Sequence, residues 1–159
     1  MHTLIAVLDW GLGHASRSIA LADQLREQGD RISWASAGRA LELLRRDCPG
    51  DEIHELPAYD IRYEGHNMHL NIARQLPKIW TTVRREHQAI DQLVVDFNVA
   101  RVISDSRFGA YSSRCKSIFL THQLHPIFGV PLGGKAYQGW LQRFDEYWVP
   151  DIDTPDRLS

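Results

Sequence analysis

Short apolar runs rich in β-branched residues alternate along the chain with longer stretches whose apolar residues recur every three or four positions. That alternation predicts βαβ units: an α/β fold with a Rossmann-like parallel sheet flanked by helices. The strand-like runs are residues 3–8, Arg31–Ser36, Glu52–Leu56, Arg101–Ser104, Ser117–Thr121 and Glu146–Val149. Between the first two, Ala15, Ile19, Ala22 and Leu25 mark the packed face of a helix. Ser18, Asp23 and Glu27 fall on its water-facing side, and Gly29 supplies the stop. A second helix is expected over Arg39–Asp47, ended by Pro49-Gly50, and a long third over Leu70–Asp96, where Pro77 kinks it or starts a segment. A short helix over Tyr137–Phe144 precedes the last strand. Residues 1–150 read as one domain, and the Pro- and Asp-rich 151–159, "DIDTPDRLS", as the start of a linker.

Composition narrows the class of partner. The chain has 159 residues, 43% hydrophobic and 24% charged, with a formal net charge of −2, enough to bury one sizeable core. This balance argues against a nucleic-acid binder held through phosphates. Cys48 and Cys115 lie far apart without metal-ligand spacing, which points to a reducing compartment and structural thiols. The N-terminal apolar run is too short to span a bilayer and lacks a signal-peptide start, so a cytoplasmic protein is expected.

The first strand-like run ends in "DWGLGHASRS", residues 9–18. Glycines between a strand and a helix let backbone N–H groups approach an anion or a sugar beside the positive helix end. Gly11 and Gly13 fill the first two positions of a dinucleotide fingerprint, but Ser16 stands where the third glycine belongs. Nor does an acidic residue close the second strand, where the sequence reads Ala35-Ser36-Ala37-Gly38-Arg39, and no P-loop lysine is present. A tight strand-to-helix turn would explain the glycines alone. His14 adds chemistry, because a helix N-terminus disfavours the imidazolium and suits a neutral imidazole acting as general base or hydrogen-bond partner.

Two further strand ends carry polar groups, "SDSRFGAYSSR" and "THQLHP". In open α/β sheets ligands bind outside the carboxyl ends of the strands, so all three clusters are expected on one side. Asp105 there can accept from a sugar hydroxyl, orient an imidazole, or cap the turn that Ser106 begins. Arg107 can pair with a phosphate or a neighbouring aspartate, and Tyr111 can face ligand or pack. Thr121, His122 and His125 form the third group; the two histidines have the spacing of a metal pair without an evident third ligand, and no metal is expected.

Together "DWGLGHASRS", "AGRALELLRR", "LPAYDIRY", "ISDSRFGAYS", "THQLH" and "FDEYWVPD" resemble the N-terminal half of GT-B-fold glycosyltransferases, in the bacterial branch related to MurG and glycosyltransferase family 28. The resemblance runs over nearly the whole chain. It implies an acceptor-binding, Rossmann-like half that works with a separate donor half binding a nucleotide sugar, the latter absent from this chain. It implies His14 or Asp105 as the base, with Gly11, Gly13, Ser16, Arg107, Tyr111, Thr121, His122 and His125 as substrate contacts. It also implies sugar transfer with no cofactor and no metal held by a D-x-D motif. "DID" at 151–153 spells that motif but falls in the linker. Where better-known relatives carry Gly-Gly ahead of the histidine, this chain carries Leu12-Gly13.

Other readings are a stand-alone sugar- or phosphate-binding module, and an acceptor subunit that pairs with a donor-domain chain. For the long helix, residues 67–93 combine Leu70, Ile72, Leu76, Ile79, Trp80 and Val83 with Arg74, Lys78, Arg84 and Arg85. The ordinary expectation is packing on the sheet with a solvated basic face; the alternative is a peripheral contact with anionic lipid at the inner membrane face, with a sugar or lipid-linked acceptor.

Overall fold

A computed structural model describes residues 1–59, 68–121 and 137–150. Six strands form one parallel sheet: β1 His2–Val7, β2 Arg31–Ser36, β3 Glu52–Glu55, β4 Arg101–Asp105, β5 Lys116–Leu120 and β6 Glu146–Trp148. Their order is β3-β2-β1-β4-β5-β6, with Ile5 opposite both Trp34 and Ile103 in the central register. The helices are α1 Leu12–Glu27, α2 Gly38–Asp47 and α3 Met68–Asp96. Residues 137–141 form a further short helix, which ends before the expected Phe144.

Alternation along the strands sorts the core into two layers. Ile5, Val7, Ile103, Ile118 and Leu120 pack with Trp34 under Ala15, Ala22 and Leu25 of α1 and Ala40 and Leu44 of α2. Leu4, Ala6, Ala35 and Val102 face the other way and pack against Ile90 and Val94 of α3. Gly29, at φ 89, closes α1 and lets the chain turn into β2.

Of the two expectations for Pro77, a kink within the helix or the start of a segment, α3 excludes the second, because Pro77 lies inside one continuous element. The Thr81 hydroxyl donates to the Pro77 carbonyl (2.9 Å) one turn on, supporting the backbone there. Ser18, expected to face water, is fully buried.

The strand order places β1 beside β4 at the centre of the sheet. From β1 the chain runs outward to β2 and β3, and from β4 outward to β5 and β6. The sense of winding reverses between β1 and β4, and at such a switch point the connections diverge and open a crevice at the strands' carboxyl ends.

Candidate functional site

His14 and Asp105 meet at that crevice. His14 lies in the first turn of α1, just past β1, and Asp105 is the last residue of β4. The Nδ1 of His14 donates to Oδ1 of Asp105 at 2.8 Å. The imidazole keeps 20% of its surface, while the carboxylate has none exposed. Arg17 Nη2 also lies 2.9 Å from the same Nδ1, but a carboxylate only accepts and a guanidinium only donates, so Nδ1 can satisfy just one of them; with its proton turned to Asp105, the lone pair of the neutral ring sits on Nε2. Among the described residues, Nε2 of His14 makes no hydrogen bond.

Asp105 is held on every side. Arg17 grips both of its oxygens, Nε reaching Oδ2 at 2.8 Å and Nη2 reaching Oδ1. The Ser18 hydroxyl donates to Oδ2 at 3.0 Å, and the Ser106 hydroxyl lies 3.4 Å from Oδ1. Burial by itself would push this carboxyl up; the hydrogen bonds and charges of Arg17 and His14 outweigh it and hold Asp105 below the ordinary carboxylate value. Arg17 and Ser18 are absent from the sequence-based site. Their signal was the spacing 14, 17, 18, which brings three side chains onto one helical face.

The glycines do something other than make a tight turn. Gly11 has extended backbone, φ 173, that any residue adopts. A Cβ on Gly11 or Gly13 would meet no atom within 4 Å. Neither conformation nor packing asks for glycine here, and the pair leaves the surface beside His14 open. Ser16 is exposed and turns its hydroxyl back to the Leu12 carbonyl (3.0 Å). Trp10 and Leu12, on either side of Gly11 in the chain, are 52% and 42% exposed.

Arg107 turns away from the dyad, and of the two partners expected for it, a phosphate or a neighbouring aspartate, it is Asp9 that lies near. Ser106 adopts φ 62, which breaks the strand alternation and sends Arg107 to the α3 face. There it is fully buried, with Nε on Glu86, Nη1 on the Val7 carbonyl (3.2 Å) and Nη2 on the Pro57 carbonyl (2.6 Å). Glu86 Oε2 also accepts from the Tyr59 hydroxyl (2.6 Å) and the Gly109 N–H (2.8 Å). Burial opposes the Arg107 charge, but Glu86, Tyr59 and Asp9 outweigh it and hold the guanidinium more firmly protonated. Burial, reinforced by the Glu86 carboxylate, holds the Tyr59 phenol well above its usual value. Asp9 stands at the edge of this cluster, its buried Oδ1 3.6 Å from Arg107 Nη1 and without a hydrogen bond.

Tyr111 is displaced from the dyad as well. Its carbonyl accepts from His87 Nδ1 (3.0 Å) and its ring stacks on His87, facing the gap between α3 and residues 137–143. Thr121 is buried at the end of β5, where its N–H donates to the Trp148 carbonyl (3.0 Å) and its side chain hydrogen-bonds Tyr137. His122 and His125, and the side chain of Arg74, lie outside the described residues. On α3, Lys78, Trp80, Arg84 and Arg85 are exposed. No helix among the described residues is long and apolar enough to cross a membrane.

Solved structures share this architecture. MurG of Acinetobacter baumannii superposes with a TM-score of 0.57 at 16% identity, covering 96% of this chain and 42% of that one. The glycosyltransferase SsfS6 of Streptomyces sp. SF2575 gives 0.61 at 14% identity, covering 89% and 44%. SnogD of Streptomyces nogalater gives 0.58 at 15%, covering 98% and 46%. The fold is that of a GT-B N-terminal domain. Among curated proteins, an uncharacterized glycosyltransferase of Methanosarcina mazei is 26% identical over 171 residues, covering 98% of this chain and 44% of the relative. No family model matches the chain. This GT-B domain therefore spans less than half the length of the proteins it matches, and it carries the His14–Asp105 pair at its own sheet centre.

Proposed function

We propose that the chain is the acceptor-side half of a nucleotide-sugar-dependent glycosyltransferase, with His14 as general base and Asp105 as the group that orients it. The observation that carries this reading is the 2.8 Å contact between His14 Nδ1 and a buried Asp105 held below the ordinary carboxylate value, on an imidazole that keeps 20% of its surface and whose Nε2 makes no hydrogen bond among the described residues. A base needs its lone pair presented to the substrate and its other nitrogen fixed, and a carboxylate behind the ring does both.

In the proposed reaction Nε2 takes the proton of an acceptor hydroxyl as that oxygen bonds to the anomeric carbon of the donor sugar. The bond from that carbon to the nucleotide diphosphate breaks, and the diphosphate leaves with the electron pair. Asp105 stabilises the imidazolium that forms, without itself taking the proton. Gly11 and Gly13 leave the approach clear, and Ser16 is exposed one turn along the same helix. Residues 1–150 serve as this domain, and the donor site belongs to another domain or chain.

The test uses the complete glycosyltransferase. Changing His14 to Ala is expected to lower kcat by roughly 10²–10⁴-fold, the usual worth of a positioned base, while leaving the fold intact by circular dichroism. Activity within a few-fold of wild type would refute the assignment. The 159-residue chain alone is expected to transfer no sugar, and turnover of a nucleotide sugar by it would overturn the division of labour.

A further inference from the structure

Away from the dyad, α3, Tyr111 and the 137–143 segment enclose a groove of about 280 Å³. One wall is a slab: His87 stacks on Tyr111 with centroids 4.0 Å apart and planes 13° from parallel. Trp80 and Trp140 line the groove too, 5.9 Å between centroids, the first half-exposed and the second buried. Phe108 stacks on Trp140 from beneath (5.0 Å, 25°) and fixes its plane.

Two guanidinium groups border this aromatic cleft from different elements, Arg84 on α3 and Arg143 after the short helix. Arg143 lies over the Tyr111 ring, 5.4 Å from its centroid, and donates to its hydroxyl. Among the described residues, Arg84 makes no ion pair and no carboxylate lines the groove. Asp91 lies one turn along α3 from His87, 3.8 Å from its Nε2, and is engaged by the Ser112 hydroxyl (2.5 Å). The cleft is thus apolar between its walls and positively charged at its rim.

We propose that this groove binds a small anion that carries a ring, the ring lying between the aromatic walls and its phosphate or carboxylate between Arg84 and Arg143. Its size decides for a ligand of one or two rings, since sites for drug-sized molecules run to roughly 300–1,000 Å³. Its shape decides against a bilayer: Trp80 is the one exposed large apolar residue among the described part of α3 upstream of Val95, so it offers a cleft rather than an apolar face to insert. Planar guanidinium forks suit phosphate and carboxylate, and their attraction to aromatic faces holds them at such a rim. The inference does not rest on the His14 reading.

The test is calorimetric titration of the full chain with 1-naphthyl phosphate, 1-naphthol and inorganic phosphate in parallel. Saturable binding of the naphthyl phosphate is expected, with naphthol and phosphate each at least about tenfold weaker, because each keeps only half of the recognition. Arg84→Glu, at an exposed position, should abolish binding, Arg143→Ala should weaken it about tenfold, and His14→Ala should leave it unchanged. Naphthol binding as tightly as its phosphate, indifference to Arg84→Glu, or no saturable binding would overturn the proposal. So would binding of vesicles containing phosphatidylglycerol in the absence of any naphthyl phosphate binding.

Discussion

Asp105 and Arg107 stand two residues apart, both fully buried, and each anchors a charged cluster, yet the two clusters have opposite relations to solvent. Asp105 turns toward α1 and meets His14 and Arg17, whose side chains keep 20% and 26% of their surface. Arg107 turns toward α3 and meets Glu86, with neither side chain exposed at all. The first cluster leads buried negative charge out to a ring nitrogen at the crevice. The second closes on itself and ties together the carboxyl end of β1, the segment after β3 and the middle of α3. A single residue separates them: Ser106, at φ 62, reverses the side on which its successor lands. One cluster therefore reaches solvent, and is the one proposed to act on a substrate, while the other is sealed and holds the strand ends together.

The largest expected consequence separates chemistry from stability. Asp105→Asn, in the full-length protein and on the proposed glycosyltransferase reading, keeps the size of the side chain but removes the charge behind His14. Its activity should fall by roughly 10²–10⁴-fold. Its stability should fall by only about 1–3 kcal/mol, the worth of hydrogen bonds to a charged group, because the released Arg17 can turn to water. Urea unfolding beside steady-state kinetics checks both. A variant that unfolds outright would make Asp105 a structural residue like Glu86.

Glu86→Ala should do the reverse. Removing it leaves Arg107 charged and wholly enclosed, at a cost of about 3–5 kcal/mol. It also strands the Tyr59 hydroxyl and the Gly109 N–H, which donate to the same carboxylate. A urea midpoint close to that of the wild type would show that water or another group takes over the charge.

How tightly the sealed cluster is packed can be sharpened at Gly109. A Cβ there would sit 2.4 Å from the Val83 carbonyl and 2.7 Å from Glu86 Oε2, so α3 can approach only because this position is glycine. Gly109→Ala should cost roughly 1–3 kcal/mol through overpacking, with α3 pushed away from the sheet. Unchanged stability would mean that α3 yields easily at this point.

The asymmetry of these clusters marks what the sequence could convey. Alternating runs and helical spacing reveal the elements to within a few residues, since burial on two layers leaves its period in the chain. That His14 and Asp105 both follow strands was readable; that they touch depends on β1 lying beside β4, a pairing over 91 positions that no local pattern records. Arg107 was read as a partner for a phosphate or a neighbouring aspartate, whereas its burial against Glu86 follows from a backbone angle at Ser106 and from a carboxylate on a distant helix. Ser18 was placed in water by its polarity, whereas Asp105 draws it inward. Among local cues, the 14–17–18 spacing was the one that pointed to the missing half of the cluster. For Pro77 the sequence left a kink or a segment start open, and the helix runs on through it, as tertiary packing can outweigh a local preference.

The smallest expected effect is a pH dependence that belongs to the open cluster. The Asp105 carboxyl is held below its ordinary 3.8 in the folded chain, so folding and ionisation reinforce each other. The stabilisation is fully present above that ordinary value and is lost as pH falls through the lower, folded one. Asp105→Asn cannot titrate at this position, so the stability gap between wild type and variant should narrow as pH falls below about 5. Asp30 is lowered too, with burial outweighed by Met1, Thr3 and Arg101, but it is present in both proteins and cancels from the difference. Urea unfolding of the pair between about pH 3 and 7 measures the gap directly. A gap that holds constant to the acid end would mean that Asp105 gains nothing from its ionised form in the fold, and the carboxylate behind His14 would lose its electrostatic role.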